Sequence, residues 1–188
     1  MLRLTKPYLS QAESDAVARV LESGWLAEGA LTSQFESEVA RYVGAKYGVA
    51  TNNCTIALTL CLQALGVKGE VAIPDFTHPA TAQAVLNAHC RPVLCDVSIE
   101  SYNMNSWNGA SFAVPVSWAG NPLTTYPHTD FIEDAACSLG AGSTGSTYTA
   151  CFSLHPRKLI TTGEGAVITT NDTELAEKLR DLKNFGKD

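Results

Sequence analysis

The stretch "CFSLHPRKLITTGEGAVITTND" (151–172) joins two apolar, strand-like runs through a turn that carries a lysine. The runs cover residues 147–155 and 165–170, and Pro156 forces a bend shortly before Lys158. A lysine taken by itself is most often a solvated surface charge. Because apolar segments flank this lysine, we expect its side chain to enter a cleft. A lysine that has lost its water there becomes a candidate for Schiff-base chemistry.

The rest of the chain alternates predicted helices with predicted strands, which is typical of an α/β fold. Helices are predicted over residues 11–23, 31–44, 54–66, 80–89 and 172–186. Strands are predicted over residues 46–51, 70–74, 91–97, 111–117 and 130–136, in addition to the two runs above. Thr32 or Ser33 is expected to cap the second helix, and Gly44 is expected to end it.

Length and composition predict one globular domain with a sizeable core. The 188 residues are 45% apolar and 17% charged, and the formal net charge is −6. No run of Lys and Arg indicates nucleic acid or an anionic membrane as a partner. No apolar run has the length of a membrane span, and the N-terminal residues lack the apolar centre of a signal peptide.

The six cysteines form no C-x-x-C pair and stand mostly in apolar stretches. We predict free thiols that act as small hydrophobic residues, with the cytoplasm as the compartment. None of the four histidines shows the spacing of a metal site.

Polar residues follow several of the predicted strands, at positions where the ligands of open α/β sheets bind. These positions are residues 52–55, 76–78, 117–121, 134–138 and 153–158. Their convergence from separate strands predicts a single site.

The segment "VATNNCTIAL" (49–58) places a polar turn between a strand and a helix. Free N–H groups at the start of a helix attract phosphate, and Thr55 adds a hydroxyl. The alternative is ordinary capping of the helix by Asn53 or Thr55. Cys54 either has a thiol pKa lowered by the helix terminus or is only small enough to fit.

The segment "FIEDAACSLGA" (131–141) ends an apolar strand on Asp134. A carboxylate in such a place needs a partner, which could be a cationic ring nitrogen, an arginine or a helix N-terminus. The alternative is that Asp134 caps the turn after the strand. The neighbouring Glu133 is expected to face away or to be solvated.

Two further features have more than one interpretation. "GAGSTG" (140–145) matches the dinucleotide-binding pattern, but β-branched and aromatic residues follow it instead of a helix, so we predict a glycine-rich hairpin. His78 could stack on a planar ligand, act as a base, or be merely hydrogen-bonded.

The order and spacing of these segments resemble the DegT/DnrJ/EryC1/StrS family of sugar aminotransferases. The resemblance runs nearly end to end, through residues 23–60, 71–85, 131–141, 151–172 and 179–186. It implies the pyridoxal phosphate (PLP)-dependent transferase type I fold. Its large domain is a three-layer α/β/α structure with a mostly parallel sheet of about seven strands.

The resemblance also implies roles for individual residues. Lys158 matches the lysine that forms the Schiff base with PLP, and Asp134 matches the aspartate that pairs with its ring nitrogen. Ser153, Cys54 and Thr55 match the residues that surround its phosphate.

Other positions match the family less closely or concern the substrate. His78 stands where the family usually has an aromatic ring stacked on PLP. Cys137 stands where it usually has a glutamine beside the cofactor's hydroxyl, and a thiol is a poor donor there. Trp25 and Gly29 match a loop near the sugar nucleotide.

The resemblance implies ping-pong transfer of an amino group from an amino acid, usually glutamate, to a keto-sugar nucleotide, in a homodimer. Family members continue past "LKNFG" (182–186) into a smaller domain, whereas this sequence stops at Asp188. We therefore expect a single PLP-binding large domain over residues 1–188, without that second domain. The alternative is a PLP-binding domain without turnover, acting as a binding module or as half of a split enzyme.

Overall fold

A computed structural model describes residues 5–185, in which helices and strands alternate as the sequence predicts. The helices are α1 (Gln11–Ser23), α2 (Ala30–Val43), α3 (Cys54–Ala64), α4 (Pro79–Asn87) and α5 (Thr173–Lys183). The strands are β1 (Tyr47–Thr51), β2 (Glu70–Pro74), β3 (Arg91–Cys95), β4 (Phe112–Ala113), β5 (Asp130–Phe131), β6 (Glu133–Asp134), β7 (Ala150–Ser153) and β8 (Ala166–Thr170). Residues 1–4 and 186–188 lie outside the described residues. The prediction about a signal peptide concerns residues 1–4 in part, and the last predicted helix ends at Gly186.

The strands form two four-stranded sheets that meet along one broken strand. One sheet has the order β1-β8-β7-β6 and the other the order β3-β2-β4-β5. Between β5 and β6, the N–H of Ile132 donates to Ala113 at 3.2 Å, and the N–H of Glu133 donates to Thr149 at 2.9 Å. The two short strands therefore act as one strand that changes partner, and the sheet has about seven strands, as predicted.

The pairings of the described strands are parallel except for those of β8, which is antiparallel to both β1 and β7. The carboxyl ends of β1, β2, β6 and β7 consequently lie at one edge of the sheet. Because β8 runs the opposite way, its amino end, preceded by Glu164, lies at that same edge. The predicted mostly parallel sheet is confirmed, and one edge collects the segments that the sequence analysis singles out.

Helices cover both faces of the sheet, because the side chains of each strand alternate between the faces. On one face Leu58 and Leu62 of α3 pack in a cluster with Ile168 of β8. On the other face Val39 of α2 packs with Val167, the neighbour of Ile168. This arrangement confirms the predicted three-layer α/β/α fold.

Helices cover only part of the second face of the sheet. Beside β2 and β4, Met104 and Ala110 pack on Ala72 and Ala113, so an irregular loop takes the place of a covering helix. α1 contributes no buried residue. No helix within residues 5–185 is long and apolar enough to cross a lipid bilayer.

Two local predictions are wrong. α2 begins at Ala30 behind Gly29, which makes no side-chain capping bond, so neither Thr32 nor Ser33 is the cap. Residues 140–145 form successive turns and not a hairpin, because β6 and β7 on either side are parallel and cannot be joined by one. No helix follows these turns, which removes the context that a dinucleotide site needs.

All six cysteines are free thiols, as the sequence predicts. Cys61, Cys90, Cys95 and Cys151 are buried, Cys54 is half-buried and Cys137 is exposed. Burial raises the pKa of the Cys90, Cys95 and Cys151 thiols, which keeps these groups protonated and unreactive.

A buried ion cluster ties α5 to α2 and to β1. The ammonium of Lys183 donates to Glu36 at 2.8 Å and contacts Glu28, and 9% of the Lys183 side chain is exposed. Glu36 also accepts the N–H of Ala50 at 2.7 Å. Gly48 permits this close approach, because a Cβ there would lie 2.3 Å from the Glu36 carbonyl oxygen. The cluster therefore fixes β1 just before the turn that leads into α3.

Lys183→Met should destabilise the fold strongly, because it leaves the buried Glu36 carboxylate without its cation. Breaking a buried pair in this way lowers the free energy of unfolding by about 3–5 kcal/mol. Urea unfolding of the variant and of the unsubstituted chain measures the difference.

Lys178→Met is the matched control, because Lys178 pairs with Glu174 on the exposed side of the same helix. Its effect should stay below about 1 kcal/mol. Equal effects of the two substitutions would contradict a structural role for the buried cluster.

Candidate functional site

A cleft of about 490 Å³ opens at the edge of the sheet where β1, β2, β6 and β7 end. Six of the predicted site residues line it: Cys54, Thr55, His78, Asp134, Ser153 and Lys158. They come from four of the five strand ends predicted to converge, whereas residues 117–121 do not line the cleft.

The amino end of α3 forms one wall of the cleft. The Asn53 side chain accepts the N–H of Ile56 at 2.9 Å, so Asn53 and not Thr55 is the helix cap. The first N–H groups of a helix have no partner within it, and those of Cys54 and Thr55 meet no acceptor among the described residues. With the hydroxyls of Thr55 and Ser153 beside them, these amides can bind a phosphate.

The Cys54 thiol is not activated by the helix terminus. Burial raises its pKa well above the ordinary value, and the nearby Asp134 carboxylate raises it further. Its Sγ lies 3.6 Å from the Cys151 carbonyl oxygen. The alternative of a lowered thiol pKa is therefore wrong, and the other interpretation, a residue small enough to fit, agrees with the structure.

Asp134 lies at the floor of the cleft, 5% exposed. One carboxylate oxygen accepts the Thr81 hydroxyl at 2.8 Å, and the other accepts the Ala136 N–H at 3.2 Å, which caps the turn after the strand. Burial raises the pKa of Asp134, and the bond from Thr81 opposes that rise. No ion pair among the described residues includes this carboxylate.

Glu133 faces away from Asp134, which is one of the two expectations, but it is not solvated, which is the other. The side chain is 3% exposed and accepts a hydrogen bond from the Ser117 hydroxyl. Burial raises the pKa of Glu133 as well. The strand that carries it is covered on both faces, so the side chain opposite Asp134 has no access to water.

His78 caps α4 and also lines the cleft. Its Nδ1 accepts the Ala80 N–H at 3.2 Å, so the neutral ring carries its proton on Nε2. The simplest interpretation, a hydrogen-bonded histidine, is therefore confirmed. The ring still lies on the wall of the cleft, where it can contact a planar ligand.

Lys158 is half-buried in the turn after β7, where its N–H donates to the His155 carbonyl at 2.9 Å. The predicted apolar flanks of Lys158 differ in burial. Leu154, before the lysine, is 2% exposed, whereas Leu159, directly after it, is 76% exposed. The Lys158 ammonium donates to Cys137 Sγ at 3.0 Å. The structure therefore places Cys137 beside the lysine.

Trp25 and Gly29 lie outside this cleft. They line a separate groove of about 600 Å³ between α1 and α2. The Trp25 indole donates to the Glu28 carbonyl at 3.1 Å and remains 67% exposed. Their assignment to the substrate remains a prediction.

The sequence analysis missed several residues at the site. Thr81 is the partner of Asp134, although 53 positions separate them. Arg157, His155 and Glu164 line the cleft, and the side chains of His155 and Glu164 approach to 3.8 Å. Arg157 could have been found from its place beside Lys158, whereas no local signal marks Thr81. Within residues 5–185 no cluster of His, Cys, Asp and Glu could hold a metal ion.

PLP carries a phosphate, a ring nitrogen that holds a proton and an aldehyde carbon, and the cleft has a group for each. Asp134 is a buried carboxylate without a cation, which suits a protonated ring nitrogen. The amide groups of α3 suit the phosphate, and the amine of Lys158 suits the aldehyde. The residues present therefore fit this cofactor.

Comparisons with known proteins show the family and the fold of this chain. The sequence matches the model of the DegT/DnrJ/EryC1/StrS aminotransferase family over residues 7–109 and 127–188. It is 34% identical over 212 residues to GDP-perosamine synthase of Caulobacter vibrioides, covering 100% of this chain and 57% of that protein. It is 32% identical over 206 residues to UDP-4-amino-4-deoxy-L-arabinose–oxoglutarate aminotransferase of Shewanella sediminis, covering 98% of this chain and 53% of that protein.

A solved structure, DesI in the presence of its TDP-sugar product, is similar to the whole fold. The TM-score is 0.88 at 29% identity, and the match covers 97% of this chain and 52% of that chain. The chain thus spans about half the length of the relatives that it matches.

Asp134→Asn should change the pH dependence of stability in the cofactor-free chain. Burial raises the pKa of Asp134 in the folded state above its unfolded value. Between the two values the folded state binds more protons, so stability falls as the pH rises. The free energy of unfolding of the variant, minus that of the unsubstituted chain, should therefore increase from about pH 4 upward.

Urea unfolding at a series of pH values measures this difference. The raised pKa of Glu133 is present in both proteins, so its contribution cancels to first order. A difference that stays constant with pH would contradict the burial of an unpaired carboxyl at position 134.

Proposed function

Because the chain belongs to the DegT/DnrJ/EryC1/StrS aminotransferase family, we propose that it is a PLP-dependent aminotransferase acting on a keto-sugar nucleotide. One observation carries the proposal: an unpaired buried carboxylate, an amine and a helix amino end surround a single cleft. Each group by itself has an ordinary structural explanation. Together they provide for the three chemically distinct ends of one cofactor.

Asp134 would hold the ring nitrogen, and its carboxylate would accept the proton of that nitrogen in a hydrogen bond. Thr81 and the Ala136 N–H already fix the orientation of the carboxylate. Thr55, Ser153 and the amides at the start of α3 would hold the phosphate. Arg157 adds a positive charge on the same cleft.

PLP supplies an electron sink that stabilises negative charge on the carbon from which a proton is removed. The chain's own contribution to this chemistry centres on Lys158. Its Nζ lies free of carboxylate partners among the described residues and would carry the proton between the reacting carbon atoms. The hydrogen bond of Asp134 would keep the ring nitrogen protonated.

The names of the relatives support the substrate class. GDP-perosamine synthase, the UDP-4-amino-4-deoxy-L-arabinose–oxoglutarate enzyme and DesI with a TDP-sugar each involve a nucleotide sugar. We therefore propose a nucleotide-linked keto sugar as the amino acceptor and glutamate as the donor. Trp25 and Gly29 would contact the sugar nucleotide from outside the cofactor cleft.

We also propose that the protein acts as a homodimer. Exposed apolar side chains of α1, of the following turn and of the start of α2 support this proposal: Val17, Leu21, Trp25, Leu26 and Leu31 are each at least 60% exposed. Several large apolar side chains exposed along neighbouring segments are typical of an interface.

Addition of PLP and then of glutamate tests the proposed function. The purified chain should gain a visible absorbance band with PLP. Glutamate should remove the band and release one equivalent of 2-oxoglutarate per bound PLP. Lys158→Ala should lose the band, because the amine that binds the aldehyde is gone.

Lys178→Ala is the control for surface lysines, because Lys178 is exposed on α5 and does not line the cleft. It should behave like the unsubstituted chain. A band that survives in Lys158→Ala would contradict the assignment of the lysine. A band that glutamate leaves unchanged would favour a cofactor-binding domain without turnover.

A further inference from the structure

Cys137 is the exposed cysteine of the described chain, and its sulfur is the hydrogen-bond partner of the Lys158 amine. Sγ and Nζ lie 3.0 Å apart. No carboxylate among the described residues forms an ion pair with Lys158. The amine is therefore directed at a thiol and not at an acid.

The backbone on both sides of this contact is held in place. Next to Cys137, the N–H of Ser138 donates to Ala135 at 2.9 Å, and the Ser138 hydroxyl donates to Ser117 at 2.9 Å. The N–H of Lys158 is held by the His155 carbonyl. The proximity of Sγ and Nζ thus follows from the fold, and only the flexible lysine stem needs to move for the two atoms to meet.

The surroundings also favour reaction at Cys137 over the other thiols. The remaining five cysteines are buried or half-buried, so a dissolved oxidant reaches Cys137 first. An amine at hydrogen-bond distance is the nearest nucleophile for the sulfur once it is oxidised.

We propose that Cys137 and Lys158 form a reversible covalent cross-link when a hydroperoxide oxidises the thiol. In the first step the thiol attacks the peroxide, giving a sulfenic acid and releasing an alcohol, or water from hydrogen peroxide. In the second step the Lys158 amine attacks this sulfur, an S–N bond forms and water leaves. Two equivalents of a thiol reductant reverse the link and restore the thiol and the amine.

The cross-link would affect binding of PLP in the cleft, because it uses the amine of Lys158. The linked Nζ cannot bind an aldehyde carbon, so the cross-link would close the cleft to PLP. This consequence, unlike the cross-link itself, rests on the proposed function of Lys158. Bound PLP should in turn protect the amine from the link.

Mass spectrometry of the full chain treated with hydrogen peroxide tests the proposal. The cofactor-free protein, digested without reductant, should yield the Cys137 and Lys158 peptides joined. Their mass should be about 2 Da below the sum of the separate peptides, because two hydrogens are lost. Dithiothreitol should separate them, and prior addition of PLP should reduce the joined fraction.

The variants lie at exposed or half-buried positions, so the substitutions should leave the fold intact. Cys137→Ser and Lys158→Ala should both lose the joined peptide, whereas Cys54→Ser, altered elsewhere in the cleft, should retain it. Lys158→Ala should leave Cys137 as a sulfenic acid that dimedone labels more strongly than in the unsubstituted chain.

Three results would overturn the cross-link: oxidised Cys137 without any joined peptide, a joined peptide that persists in Lys158→Ala, or a link that carries an added oxygen. If the cross-link forms normally and PLP does not prevent it, the result supports the cross-link. The same result would contradict the assignment of Lys158 to the cofactor.

Discussion

The buried carboxylate of Asp134 is the constraint on which the site depends. It lies at the end of a strand covered on both faces, and hydrogen bonds from Thr81 and Ala136 hold it without neutralising its charge. Burial raises the pKa of this group, and the Thr81 bond and the charges of Lys158 and His78 only partly oppose the rise, so an electrostatic cost remains at this point. A ligand with a protonated ring nitrogen would remove that cost, and the free energy so released would contribute to its binding.

The topology explains why the other groups lie close to this carboxylate. Parallel strands place the carboxyl ends of β1, β2, β6 and β7 at one edge, and the reversed β8 adds the residues that precede it. The cluster of Lys183 and Glu36 fixes β1 immediately before the turn into α3, so a contact with α5 also positions the wall of the cleft. Stability and site geometry are therefore coupled through buried polar groups at some distance from the cleft.

Local sequence patterns predict the elements well, because each depends on neighbouring residues. Gly44 ends α2, and apolar runs mark the strands. Apart from the cap of α2, the errors concern interactions between distant segments. Nothing near Thr81 indicates its bond to Asp134, and nothing near Glu133 indicates that the opposite face is covered. The turns at 140–145 look like a hairpin locally, but the parallel order of the strands excludes one. Local surroundings make Lys158 and Asp134 candidates, and the resemblance assigns their roles in one site.

Reductive trapping tests the central claim most directly. The full chain is incubated with PLP, reduced with borohydride and digested, and the peptide that carries the pyridoxyl group is sequenced. The account predicts one modified residue, Lys158, with a yield that falls sharply in Asp134→Asn, because the carboxylate that holds the ring nitrogen is lost. A pyridoxyl group on another lysine, or spread over several surface lysines, would contradict the account.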